Sequence, residues 1–423
     1  MKEGYKKTEV GVIPEDWEVV KLSDCTEKIT DGSHSSPVPV EGSNYKICTV
    51  ANMKGNSLDL SSSANISEED FEKLTKNGCG PEYGDVLLSK DGTIGKTILF
   101  EQSNENVVLL SSIAILRPSS IKLNGKYLNQ YLRDSRTLTR MTNTKTGSAI
   151  KRIVLRDIKD LKIVLPCLKE QEKIAEILST VDCQIDDTEK LIEKCRVLKK
   201  GLMQRLLTKG IGHTEFKKTE VGEIPVGWEV KKLEEICSVK GGKRLPKGYQ
   251  LLDEKTDNPY IRVADMYEGG VKLDDIKYVP SEVADKIKSY KIAKEDLFIS
   301  VAGTLGIVGM VPEELDGANL TENADKLCDI KINKEFLMRV LQSKSIQNII
   351  ESEKTTSAQP KLALTRIREF SIPIPSDEEQ ERIADILTSV DNEIVEYENK
   401  KQRLQELKKG LMQQLLTGKI RTI

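Results

Sequence analysis

The chain is poor in the residues from which catalytic and metal centres are usually built. Only two of its 423 residues are histidines, His34 and His213, and aromatic residues make up 4%. Eight cysteines, at positions 25, 48, 79, 167, 183, 195, 237 and 328, form no CxxC pair. A structural zinc site needs four close nitrogen or sulfur ligands, so this scatter points away from metal and toward reduced thiols, the state that suits a cytoplasmic protein. No run approaches the roughly 18 apolar residues of a membrane span, and MKEGYKK lacks the apolar stretch of a signal peptide. The expectation is a cytoplasmic protein that stays off the membrane. Positive charge is not in surplus either: 65 Lys and Arg stand against 67 Asp and Glu, a net charge of −2. Affinity for nucleic acid comes mainly from neutralised phosphates, so any such binding must rest on local basic loops or on a partner's help.

What the chain has in abundance is repetition. KKTEVGVIPEDWEVVKL (Lys6–Leu22) returns as KKTEVGEIPVGWEVKKL (Lys217–Leu233), and EQEKIAEILSTVD (Glu170–Asp182) returns as EQERIADILTSVD (Glu379–Asp391). The two tryptophans, Trp17 and Trp228, lie 211 residues apart and the two helix starts 209, so half the chain is one structural unit. A chain this long exceeds the usual single core, which agrees with two domains. The stretches between, about 23–164 and 234–374, share few residues. Similar ends with different middles suggest two modules held in one geometry, each reading something different.

From Ile174 the apolar positions run Leu178, Val181, Ile185, Thr188, Ile192, Cys195, then past Lys199 to Leu202 and Leu206. The second copy runs Ile383, Leu387, Val390, Ile394, Tyr397, then past Lys401 to Leu404, Lys408, Leu411 and Leu415. Steps alternating between four and three are the 3.5-residue period of a coiled coil. Pro166 and Pro375 precede the helices, acidic residues fill their first turns and lysines gather near their ends, as the helix macrodipole favours. A helix of about 38 residues makes a rod of roughly 57 Å. If a pseudo-twofold axis relates the halves, the two rods run antiparallel. GLMQRLLTKGIGHTEF hands the chain to the second module, and GLMQQLLTGKIRTI repeats that exit at the C-terminus, a circular design.

The modules read as α+β. DVLLSK (Asp85–Lys90), NVVLLSSIAILRP (Asn106–Pro118) and DLFISVAG (Asp296–Gly303) have the β-branched, Gly- and Pro-bounded character of strands, while KYLNQYLRDSRTL and KEFLMRVLQSKSIQNIIES have helical spacing. The expected boundaries are 1–165 for the first module, 166–210 for the central helix, 211–375 for the second module and 376–423 for the C-terminal helix. Two chemical motifs fail on inspection. GTIGKTILF (Gly92–Phe100) has two residues where a phosphate-binding loop needs four, and its counterpart GTLGIVGM (Gly303–Met310) lacks the Lys and Thr. DNPYIRV (Asp257–Val263) has one proline where the amino-group methyltransferase loop has two, and no Gly-rich cofactor loop accompanies it. No catalytic constellation stands out.

Four repeated features carry a family resemblance: the K-T-E-x-G-x-I-P-x-x-W opening, the turns DVLLSKDGTIG and DLFISVAGTLG, the P-x-x-x-E-Q-x-x-I-A helix start and the K-K-G-L-M-Q-x-L-L-T helix end. Together, over essentially the whole chain, this pattern resembles the DNA-specificity subunit of type I restriction–modification systems. The resemblance implies two target-recognition domains, each reading half of a split DNA sequence, joined by two long helices in an antiparallel intramolecular coiled coil that fixes the gap. It implies a non-catalytic chain without a cofactor of its own. Two methyltransferase subunits would bring S-adenosylmethionine and methylate adenine, and restriction and translocase subunits would join for cleavage. One departure is that Ile150-Lys151 becomes Gln359-Pro360 in the second copy. The competing readings are a duplicated scaffold that binds proteins rather than DNA, which leaves the divergent middles unexplained, and a methyltransferase, which lacks its motifs.

Phosphate contacts favour Lys, Ser and Thr in turns, and base reading favours Arg, Lys, Asn or Gln on loops. In the first module these rules select Ser33, His34, Ser35, Lys90, Thr93, Lys145, Ser148 and Arg152. In the second they select Lys243, Arg244, Lys247, Arg262, Thr304, Lys354, Gln359 and Lys361, with GGKRLPKG the sharpest basic loop. Exposed helix positions such as Glu176, Lys190, Glu193 and Lys194, with Asp385, Asn399, Gln402 and Arg403, are candidates for partner contacts or plain solvated faces.

Overall fold

The computed structural model describes residues 3–102, 106–142, 152–354 and 361–423. The chain forms two compact units, Met1–Leu191 with Tyr397–Ile423, and Ile192–Glu396. The long helices, Leu168–Lys209 and Asp377–Leu415, pass from one unit into the other, so each unit includes a stretch of both.

In the first unit an antiparallel sheet orders Thr97–Leu99, Val86–Ser89, Ile113–Pro118 and Thr26–Asp31. The strand Val86–Ser89 is buried at every position, because both faces of the sheet are covered. Val86 and Leu88 face a core shared with the helix Gly125–Arg133, whereas Leu87, Ile98 and Ile115 face a second core. A smaller sheet sets Val107–Leu109 parallel to Tyr45–Cys48, which pairs antiparallel with Ala64–Ile66. The run Asn106–Pro118 is therefore two strands in two sheets, broken at Ser111-Ser112, where Ile113 N donates to Leu110 O.

The second unit repeats this plan. Ser238–Gly241, Ala324–Cys328, Leu297–Ser300 and Val308–Met310 form the larger sheet, with Leu297 and Ile299 on one core and Phe298 on the other. Pro259–Ile261 and Ala318–Leu320 form the parallel pair. Each expected module helix is likewise two helices. Asp134 ends Gly125–Arg133, and its carboxylate accepts from Arg136 N, opening Ser135–Thr142; Gln342 and Ser343 separate Lys334–Leu341 from Lys344–Lys354.

The E-Q pair at each helix start now has a physical role. Glu170 accepts from Trp17 Nε1 at 2.9 Å, and Glu379 accepts from Trp228 Nε1 at 2.9 Å. Gln171 donates to Pro166 O and accepts from Asn124 N, as Gln380 does with Pro375 O and Asn333 N. The repeated segments thus fasten each opening hairpin and one short helix to a long helix.

Along the long helices Ile174, Leu178, Val181, Thr188, Ile192, Cys195 and Leu206 are buried, and in the second copy Ile383, Leu387, Val390 and Leu415. In the first unit Lys408 meets Asp182 at 2.5 Å and Lys401 meets Glu189 at 2.6 Å; seven residues forward on one helix are seven back on the other, so they run antiparallel. In the second unit Lys199 meets Asp391 at 2.6 Å and Cys195 Sγ lies 3.9 Å from Glu393, the same sense. The lysines that interrupt the apolar seam are therefore ion-paired within it, and burial lowers the Lys408 pKa despite Asp182.

The C-terminal segment is helical only to Leu415. Beyond it Gly418, at φ 67°, lies against Pro14 and Trp17, and Arg421 reaches Glu170 and Asp16. Gly210, at φ 64°, lies against Trp228 and Glu379 in the same manner. The repeated exit thus closes on the first unit's own opening segment.

Candidate nucleic-acid interface

Each unit presents a cluster of loops at one end of its larger sheet. The centre is the turn that follows the fully buried strand. Ser89 Oγ donates to Thr93 O at 2.6 Å and accepts from Lys96 N at 2.8 Å, and Ser300 Oγ does the same with Thr304 O and Ile307 N. Gly95 and Gly306, both at positive φ, lie close against Leu138 and against Gln347 and Ile350 respectively, where a Cβ would crowd them. The repeated S-x-x-G-T-x-G pattern is a serine staple that leaves Thr93 and Thr304 exposed at the tip.

Two further segments join this turn. Gly32 lies so close beneath the Leu109 and Leu110 backbone that any side chain would overlap it, and Gly242 lies likewise against Leu320 and Thr321. Their chains are then carried into the loops beginning at Ser33 and Lys243, where Ser33 N donates to Leu109 O and Lys243 N to Leu320 O. The third segment pairs Asp91 with Arg152 in the first unit and Ala302 with Lys361 in the second. The fold therefore brings Ser33, His34, Ser35, Thr93 and Arg152 to one end of the first unit, and Lys243, Thr304 and Lys361 to the matching end of the second.

Individual placements divide the selected residues. Thr93, His34 and Ser35 are exposed, with His34 Nε2 3.4 Å from Asp31, whereas Ser33 is buried with its hydroxyl donating to Ser35 O. Lys90 is a correction to the sequence reading: its side chain is 2% exposed and lies 3.1 Å from Asp31 and 3.4 Å from Asp91, so its charge is spent inside the unit. Asp91 in turn holds Arg152 at 3.0 Å, leaving that guanidinium half exposed. Arg262, 27% exposed, is also held by neighbouring acids. Two hydrogen bonds clamp it to Asp265 and a third contact ties it to Asp275 at 3.2 Å, and its pKa is raised, chiefly by the Asp265 bonds. Thr49 and Asn52 occupy the equivalent turn of the first unit, with Asn52 accepting from Thr49 N at 2.8 Å as Asp265 does from Arg262 N. Arg262 thus builds a turn.

Arg244 and Lys247 are exposed, Arg244 3.8 Å from Glu322, and Lys361 is exposed beside the turn. Lys354 ends the helix Lys344–Lys354. Lys145, Ser148 and Gln359 lie outside the described residues, as do Ile150, Lys151 and Pro360.

Composition gave no sign of Asp325. It is buried in Ala324–Cys328, and burial pushes its carboxyl up to about 6 although Lys361 and Arg368 pull the other way. Strand register shows why: Asp325 pairs with Gly241, whereas in the first unit Asp31 pairs with Ala114. The carboxylate has moved to the neighbouring strand at the same place in the sheet. Lys90 neutralises it in the first unit, but Val301 stands at that position in the second. Among the described residues no group of three or more His, Cys, Asp or Glu side chains could hold a metal ion. Burial also raises the Cys25 and Cys48 thiols to about 11 and Cys237 to about 12, so these thiols are not poised as nucleophiles.

The family model of the type I restriction modification DNA specificity domain matches residues 14–195 and again 225–409. A putative type I restriction enzyme MjaX specificity subunit of Methanocaldococcus jannaschii is 31% identical, over 99% of this chain and 97% of that protein. The MjaVIII specificity subunit of the same organism is 28% identical over 99% and 96%. Among solved structures, the S subunit of a type I restriction–modification system from M. genitalium shares the fold with a TM-score of 0.58 at 18% identity, covering 94% of this chain and 96% of that one. A chain from a structural study of type I system assembly and conformational transition gives 0.57 at 15% identity, covering 96% and 99%. Among the described residues, no helix is long and apolar enough to cross a membrane.

Proposed function

Since the chain belongs to the type I restriction–modification DNA specificity family, we propose that it reads a split site on double-stranded DNA, one half-site with each unit. It is a specificity subunit and not an enzyme. The observation that carries the reading is the contrast within each unit. The Ser staple, the close-packed Gly and the Trp–Glu contact are the same in both, while the loops they present differ in length, charge and side chain. A frame that holds different loops at equivalent sheet ends suits two readers of different sequences.

In this reading the two long helices set the gap between half-sites. With 42 and 39 residues they are about 60 Å long, more than one turn of B-DNA at about 34 Å. The chain recruits two adenine methyltransferase subunits, which bring S-adenosylmethionine, and restriction and translocase subunits for cleavage. The exposed helix faces, Glu176, Lys190, Glu193 and Lys194 among them, are available to those partners.

The test is a genome-wide map of methylated adenine in cells with and without this gene. Loss of one split motif, two short half-sites about a fixed gap, is the expected result. A map that does not change on deletion counts against the reading.

A further inference from the structure

We propose that the second unit carries a phosphate-gripping face made of two segments that meet only in the fold, Gly242–Gln250 and Asp285–Tyr290, and that this unit supplies the larger electrostatic share of DNA affinity. The inference rests on the DNA-reading function above and adds residues that the loop rules did not select.

Between Gly242 and Gln250 there are three cations, Lys243, Arg244 and Lys247, and no acid. The helical turn Asp285–Tyr290 adds Lys286 and Lys288, both exposed. Two reciprocal contacts join the segments: Lys243 Nζ lies 5.5 Å from the Tyr290 ring centroid, and Lys286 Nζ lies 5.7 Å from that of Tyr249. Below them Leu245, Leu251 and Tyr290 pack on the cluster of Tyr260, Val279, Val283 and Ile287. Tyr260 OH donates to Lys243 O at 2.9 Å, fixing the loop from its underside. The backbone is anchored while the cationic ends face outward.

The carboxylates facing these cations hold them loosely. Glu322 is 3.8 Å from Arg244, and Asp285 is 3.9 Å from Lys288 with both side chains largely exposed, the kind of surface pair worth little in water. Lys277 is different, held by Asp253 and Asp275 at 2.5 Å each, and is not counted in this face. A lysine is a point charge on a flexible stem, suited to phosphate more than to a base edge. The chemistry therefore matches the sugar–phosphate backbone beside the half-site, with the two tyrosines supplying flat contact surface.

The first unit has no such face at the equivalent places. Its loop from Gly32 to Val40, GSHSSPVPV, contains no Lys or Arg. The helix Glu68–Lys76 that follows its third sheet strand carries four acids against two lysines.

The experiment measures equilibrium DNA binding by the full chain assembled with its methyltransferase subunits over a series of salt concentrations. Each phosphate contact contributes a slope of about 0.9 to log K against log salt. The variant Lys286→Gln with Lys288→Gln is expected to flatten the slope by about 1.8 while keeping the rank order of DNA sequences. Lys286→Arg with Lys288→Arg keeps the slope, and Lys73→Gln with Lys76→Gln in the first unit leaves it unchanged. An unchanged slope in the Lys286/Lys288 variant, or an equal loss from the first-unit pair, overturns the assignment of this face. A wild-type complex that binds all DNA sequences alike instead overturns the sequence-reading function on which it rests.

Discussion

Removing Arg421 tests whether the closing segment is structural. Glu170 is buried, its side chain 1% exposed, and it accepts from Trp17 Nε1 at 2.9 Å and from Arg421 Nε and Nη2 at 2.8 and 2.9 Å. Arg421 also binds Asp16 through Nη1 at 2.9 Å and Nη2 at 2.7 Å. Arg421→Ala leaves the Glu170 charge with the indole and a long contact from Thr422 N. Breaking a buried pair by removing one partner costs about 3–5 kcal/mol. The arginine side chain is 32% exposed, so water partly repairs the loss and about 2–3 kcal/mol is expected. For a unit of about 220 residues this lowers the melting temperature by about 4–12 °C.

The assay is urea and thermal unfolding followed by fluorescence in a Trp228→Phe background, where Trp17 alone reports on the first unit. Glu170→Gln added to Arg421→Ala should recover part of the loss, because a neutral amide still accepts from the indole without an unpaired charge. Arg421 hydrogen bonding holds the Asp16 carboxyl below its ordinary value. A depressed carboxylate stabilises the fold above its unfolded pKa and loses that contribution as pH falls through the folded value, so the gap between wild type and variant narrows below about pH 4. An unaltered midpoint at pH 7 would refute the structural role, since no redistribution of solvent leaves a buried carboxylate indifferent to losing two charge-assisted bonds.

Asp325→Asn should stabilise the second unit. A carboxyl raised to about 6 weakens the fold as pH rises from about 4 to 6, so the gain is about 3 kcal/mol at pH 7 and vanishes below about pH 4; urea titrations at both pH values check it. Lys90→Met should cost the first unit about 3 kcal/mol by leaving Asp31 and Asp91 poorly compensated, and Asp31→Asn in the same chain should return part of it, measured by the Trp17 transition. Inserting one heptad in step into both long helices lengthens the pair by about 10 Å, or about three base pairs. A methylation map should then show the same half-sites with a wider gap, and an unwidened gap would sink the ruler.

The frame was legible because its signals repeat. The four-three seam appears in burial as in sequence, and even its lysines fall on seam positions, where Lys199, Lys401 and Lys408 find carboxylates. Sheet changes were not legible. Asn106–Pro118 leaves one covered sheet and enters another, so its strands on either side are apolar without alternation and only Ser111-Ser112 marks the turn at Leu110. Charged residues were the least legible. Lys90, Arg262 and Arg244 look alike in a sequence, but their fates depend on acids distant in the chain or across a turn: Asp31 captures the first, Asp265 and Asp275 the second, and Glu322 only loosely approaches the third.

This difference also bears on why matching positions need not match in residue. Asp31 and Asp325 occupy paired strands at one place in the sheet, yet one carries its carboxylate on the first strand and the other on its neighbour. Arg421 and His213 likewise follow the close-packed Gly418 and Gly210 by three residues and bind the equivalent carboxylates, Glu170 and Glu379. What the duplication retains is a requirement for a partner at a point in space, and different side chains meet it. A residue-by-residue comparison of the two middles therefore overstates their divergence within the frame. The difference that remains after this substitution is concentrated in the loops beyond Gly32 and Gly242, where the first unit is nearly uncharged and the second is basic, so the two units would meet the DNA backbone unequally even where their frames are the same.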